Sequence, residues 1–353
     1  MRIQLATLII AFLVPAISTQ ITSAQITSAG VQPPPALPVN APVARYDVKG
    51  GELRFIAFAH EGKEVWTMNS EGMLWRLSAK DLTVLDAGQP TGILFKLAFG
   101  FMPPNGKQIA CAGWNGDACL LNTKFLDPDL LFPPHRTPRT AAVLSVHYTA
   151  DGKYFATGSR DGLVRLYSLS PTKLLWQSAP MSLPVNCVKI SPDSKLVAAA
   201  TGDWQQSKTP GEVMVFDIQS GKVTGRSQPH TTQIIYLDFS PDSTKIASCA
   251  NDGNVVVQSS DKLTALSLLP CRGSIGRIAF LDNQRLVAAT EGRPMIQWDL
   301  QKSVPIQLWQ GHRGPGLIPT TATIRGLAIS PDGSRMATAD LQGWVYLWDI
   351  ASG

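Results

Sequence analysis

The tightest constraint on this chain is a short pattern that returns at a nearly fixed interval. It is plainest from Ile329 to Ile350, ISPDGSRMATADLQGWVYLWDI, which reads as strand end, turn, strand, turn, strand. Pro331 presets φ and Gly333 tolerates positive φ, so the Ser-Pro-Asp-Gly turn forms at low cost. Met336–Ala339 and Trp344–Ile350 are apolar or β-favouring runs. Six other dipeptides hold the place of Trp348-Asp349: Leu77-Ser78, Leu121-Asn122, Tyr167-Ser168, Phe216-Asp217, Gln258-Ser259 and Trp298-Asp299. Their second members, followed to Asp349, are spaced 44, 46, 49, 42, 40 and 50 residues apart. A lone three-strand meander cannot bury both of its faces, so units of this kind must stack.

At these residues the chain resembles the WD-repeat β-propeller family, whose repeats of about 40–45 residues form four-stranded blades. The third repeat, TADGKYFATGSRDGLVRLYS, and the fifth, SPDSTKIASCANDGNVVVQS, carry the likeness beside the last one. The resemblance implies an all-β fold: one seven-bladed propeller of antiparallel blades over residues 43–353. The last repeat stops after its third strand, and Ala44–Val48 is a spare strand at the other end of the repeat region. Pairing the two closes the ring and removes the open edges. The reading is of a secreted or periplasmic, bacterial-type member.

The N-terminus supports export. Arg2 precedes an apolar run from Leu5 to Ile17, which is short for a bilayer but suits a secretory signal over residues 1–24. An uncleaved anchor is the competing reading, and cleavage would leave no membrane span. Residues 25–42 contain Pro33-Pro34-Pro35, Pro38 and Pro42 and are expected to form an extended or disordered linker. A net charge of +5 without long basic runs is too weak a field to indicate nucleic acid. The five cysteines show no CxxC pair, and an odd number leaves at least one thiol unpaired. Those inside predicted strands read as small buried hydrophobes, and Cys111 and Cys119 as a poor disulfide pair despite lying on one hairpin.

No nucleophile elbow, HExxH, P-loop or dinucleotide fingerprint is present, so no catalytic residue, metal or cofactor is assigned. In the family a blade-entry His resembles a donor to an Asp in the turn between a blade's second and third strands. On that pattern His230 matches Asp252 and His135 matches Asp161, whereas for His312 the turn reads Leu341-Gln342 and the His is left freer. Trp298-Asp299 and Trp348-Asp349 take the structural position, packing between blades. Trp114 and Trp204 lie in turns, and large aromatics on one rim are candidate binding anchors. The bland alternative has each folded over a neighbouring blade. Arg54, Lys96, Arg277 and Arg325 open the first strands of their blades near the channel. They can hold an anionic group or acidic partner loop, or pair with nearby carboxylates. With His312, Arg313 and the Gly311–Thr323 connection they complete the candidate rim.

The expectation is a monomeric exported scaffold binding a protein or peptide. The alternative is an extracytoplasmic propeller enzyme or ligand-binding protein of lactonase or quinoprotein type, suggested by Asp217–Lys222. An enzyme should show a channel lined by carboxylates or histidines, a scaffold an aromatic and basic rim.

Overall fold

The computed structural model describes residues 37–49, 51–90, 96–103, 106–135, 142–149, 151–310, 312 and 323–350. The signal region, the first part of the Pro-rich segment, Arg313 and most of the Gly311–Thr323 connection lie outside the described residues.

Seven antiparallel blades follow one another along the chain. Blades one to six run from Leu53 to Gly88, Leu97 to Phe132, Val143 to Gln177, Val185 to Ser227, Ile234 to Pro270 and Ile275 to Trp309. Each begins at its innermost strand and steps outward. Blade seven supplies three strands from Ile324 to Asp349, and Ala44–Asp47 adds the fourth, running antiparallel to Trp344–Asp349 with Ala44 opposite Leu347. The ring is closed as the unfinished last repeat requires. Val39–Asn40 adds a short parallel fifth strand to blade six, facing Leu308 and Trp309. The pairing starts immediately after Pro38, whose missing N–H leaves only its carbonyl to take part, and that carbonyl accepts from the Leu308 N–H at 2.9 Å.

Local chemistry shapes the turns as the repeats suggest. Ser330 Oγ accepts from Arg335 N–H at 2.9 Å and donates to Asp332 Oδ1 at 2.6 Å, while Gly333 takes a φ of +69°. Bonds from Ser330, then Ser334, hold the exposed Asp332 carboxyl down to about 2. The strands bury Val, Leu, Ala and aromatic side chains between successive blades, and Trp298 and Trp348 are among them. A buried Trp covers about 150–250 Å², worth roughly 4–6 kcal/mol at most. These two tryptophans hold blades together and are closed to a partner. All five cysteines are buried and free, with Cys111 directly opposite Cys119 in register.

Candidate partner-binding site

All seven innermost strands slip their register by one residue just after they start. Such a bulge re-aims the extra side chain. The extra residues are Arg54, Ala98, Leu144, Asn186, Ile235, Gly276 and Arg325. Six of them, with Arg277 standing beside the seventh, line one cavity of about 530 Å³ at the upper end of the channel. Phe99 and Tyr236 form walls, and Trp114, Trp204 and Glu291 also line it. The bulge therefore turns a position in the repeat into a ring of side chains around one opening.

The arginines of blades six, seven and one meet because their strands can approach closely. A Cβ on Gly276 would lie 2.6 Å from the Ile324 carbonyl oxygen of blade seven. One on Gly326 would lie 2.7 Å from Ile56 Cγ2 of blade one. Larger residues would push these strands apart. Arg54 pairs with Glu52. Arg277, only 9% exposed, lies over the rings of Tyr236 at 4.6 Å and Phe99 at 5.6 Å and donates to the Gly276 carbonyl. Among the described residues neither Arg277 nor Arg325 meets a carboxylate at ion-pair distance, and Nε of Arg54 and of Arg325 is buried without a hydrogen-bond partner. Burial, with repulsion from Arg277 and Arg54, brings Arg325 down to about 10, although Glu291 and Glu52 oppose this.

Trp114 and Trp204 are 43% and 64% exposed, and both line the cavity. The Trp114 N–H donates to the Lys96 carbonyl at 3.1 Å, which ties its turn to the blade entry. Trp204 opens a single 3-10 turn capped by Asp203, and the Arg160 guanidinium sits 5.7 Å from its ring centre.

Two expected site residues lie elsewhere. Lys96 precedes the bulge by two positions, is not among the residues lining the cavity and pairs with Glu71 at 3.5 Å. His312 is not free. Its Nδ1–H donates to Asp340 at 2.8 Å, and its Nε2 accepts from the Thr338 hydroxyl at 2.6 Å, which itself accepts from Trp348 Nε1–H at 2.9 Å. The carboxylate comes from the last residue of the second strand, two places before the turn position used in the other blades. His135 is held the same way by Asp161 and Thr157 at 3.0 and 2.9 Å, and His230 by Asp252 and Ser248 at 3.1 and 2.9 Å. Burial depresses all three imidazoles, although each carboxylate pulls the other way. Asp299 secures its own turn, accepting from the Gln301 and Lys302 N–H groups at 2.9 and 3.0 Å, while Asp349 stands opposite Arg335 in the ladder.

The WD domain, G-beta repeat model matches residues 130–168, 221–257 and 303–349. The matches fall chiefly on blades three, five and seven of the seven-bladed propeller. The chain is similar to Actin-interacting protein 1 of Drosophila melanogaster, 26% identical over 56% of this chain and 31% of that protein. It is also similar to WD repeat-containing protein SL1-17 of Schistosoma mansoni, 26% identical over 57% of this chain and 63% of that protein. WD repeat-containing protein 1 of Mus musculus is 32% identical over 28% of this chain and 15% of its own length. The chain thus spans less than two thirds of each. These relatives are eukaryotic and lend no support to the bacterial-type reading.

Sequence reasoning missed a second tier of the channel. Three residues beyond the bulge in six of the seven strands stand Ala57, Phe101, His147, Lys189, Asp238 and Ala328, lining two smaller hollows of about 200 and 240 Å³. Lys189 reaches Asp238 of the next blade at 3.6 Å and lies against the rings of Tyr236 and Phe101 at 5.1 and 5.4 Å. Burial works against the ammonium, but Tyr236 and Asp238 outweigh it and hold its pKa above the usual lysine value. His147 Nδ1 accepts from the Ile190 N–H at 3.2 Å, and burial and then Lys189 push this imidazole well below its usual value. A fixed offset from the start of each innermost strand was the signal that could have found this tier. Among the described residues no group of three or more His, Cys, Asp or Glu side chains is placed to hold a metal ion.

Proposed function

We propose that this propeller is a non-catalytic scaffold that captures a protein or peptide on the face built around the upper cavity. WD-repeat relatives support a protein-interaction role in general. The observation that carries the specific reading is the convergence of two exposed indoles, Trp114 and Trp204, with Arg54, Arg277 and Arg325 around one opening. Aromatic and Arg side chains are the groups that most often anchor an interface. A cationic cavity with a single lining carboxylate also fits a scaffold better than a lactonase- or quinoprotein-type enzyme.

Affinity capture with wild-type protein and Trp204→Ala tests this. The variant should bind its partner about 30-fold more weakly, as for a residue worth ~2 kcal/mol at an interface. Its unfolding free energy should stay within about 0.5 kcal/mol of wild type. A variant that unfolds early, or captures as well as wild type, refutes the proposed face.

The scaffold acts outside the cytoplasm in this proposal, secreted or periplasmic, on the strength of Arg2 and the Leu5–Ile17 run. N-terminal sequencing of the protein from cell fractions checks it. A new terminus near Ala24 in an extracytoplasmic fraction is expected, and an intact Met1 in the cytoplasm contradicts export.

A further inference from the structure

We propose that the upper cavity is a specific site for a multiply charged oxyanion, a dicarboxylate or phosphate monoester, gripped by Arg54, Arg277 and Arg325. The oxyanion is either free in solution or carried by the captured partner, and the second case rests on the scaffold reading above.

Three observations lead there. Arg54, Arg277 and Arg325 come from three consecutive blades around the ring and line the same cavity, where the one carboxylate is Glu291. Glu52 engages Arg54 alone. Arg277 is 9% exposed and, among the described residues, has no carboxylate partner. A buried cation without a counter-charge is unfavourable, and natural cores normally supply a partner. This chain does so one tier lower, where Lys189 has Asp238. Finally, Nε of Arg54 and of Arg325 is buried with nothing to donate to. Guanidinium forks suit carboxylate and phosphate oxygens, and the aromatic walls hold the Arg277 fork over Tyr236 and Phe99. A volume of about 530 Å³ suits a small anion or an acidic side chain with part of its backbone. The depressed pKa values of Arg277 and Arg325 agree, since burial lowers both, Arg54 repels each and Arg277 also repels Arg325, effects that a bound anion would oppose.

The test uses the full chain with inorganic phosphate, succinate, a tetraglutamate peptide and, as its neutral control, tetraglutamine. Sodium chloride at matched ionic strength corrects for screening. Binding is read by calorimetry and by the shift in Tm. Phosphate or succinate raising Tm above the chloride control identifies a free-anion site. A rise with tetraglutamate alone identifies a side chain of the partner as the source. In either case Arg277→Met should cut affinity about 10- to 100-fold, as expected for losing a charged hydrogen-bonding group. Lys96→Ala, outside the cavity, should leave it unchanged.

Without anion, Arg277→Met and Arg325→Met should melt at or above the wild-type temperature, because each removes an uncompensated cation. The proposal is overturned if no probe exceeds chloride, if the shift survives Arg277→Met, or if both variants melt below wild type without anion. The free-anion arm needs no partner, so its failure is distinguishable from failure of the scaffold reading.

Discussion

Lys189 and Arg277 lie at two depths of one channel, both buried against Tyr236, yet their surroundings differ. Lys189 has Asp238 of the next blade within 3.6 Å. Arg277 has two rings, a backbone carbonyl and two more arginines in the wall of the same cavity. The difference separates charge that belongs to the fold from charge held ready for something else. In the lower tier the counter-charge comes from the protein itself, whereas at the upper mouth, in this proposal, it is left to a bound anion.

The largest expected effect comes from removing the chain through Lys49. That deletes the outer strand of blade seven, with its ladder bonds and the cover given by Tyr46 and Val48. The loss should be about 5 kcal/mol or more. Hydrogen exchange should rise first in Trp344–Asp349, and the anion response should fade because Arg325 stands on the same blade. Lys189 and Asp238, on blades four and five, should keep their protection. Uniform exchange around the ring would break the contrast between the two tiers.

Asp238→Ala comes next. It leaves Lys189 buried without its partner and should cost roughly 3–5 kcal/mol in denaturant unfolding. Arg277→Met should show no such loss. Equal costs at the two positions would mean that both cations are structural.

A smaller effect follows from the histidines, which resemble Lys189 in having their neighbours supplied by the fold. Burial depresses His135, His147, His230 and His312 below the ordinary value of 6.5. In the unfolded chain each takes up a proton as pH falls through about 6.5, while the folded form resists until its own lower pKa. The unfolded state then binds more protons, so stability is complete above that pH and declines below it. The slope should be about 1.4 kcal/mol per pH unit for each histidine still neutral in the fold. Denaturant midpoints from pH 7.5 to 5 measure it, and His312→Gln should reduce the slope by one histidine's share. A flat profile would show that these imidazoles are charged in the native state.

How much could be foreseen differs between the parts of the molecule. Blade number, the turns and the closing strand were legible because each repeat writes its own strands and turns locally. The pairing of His230 with Asp252 and of His135 with Asp161 was also legible, being confined to one blade entry and its turn. His312 escaped because its carboxylate, Asp340, sits on the strand rather than in the turn. Lys96 was grouped with the arginines because it too opens a first strand, and only the bulge shows that it is two residues out of phase with the cavity ring. Lys189 and Asp238 lie on different blades, so nothing local in the sequence joins them.

By itself the sequence determined a seven-unit ring with a borrowed last strand, since strand alternation and turn residues are short-range properties repeated along the chain. Only the tertiary structure decided which side chains share a cavity. That depends on a one-residue slip at the start of every innermost strand and on the close approach allowed by Gly276 and Gly326, which bring Arg54, Arg277 and Arg325 from distant parts of the chain to one mouth.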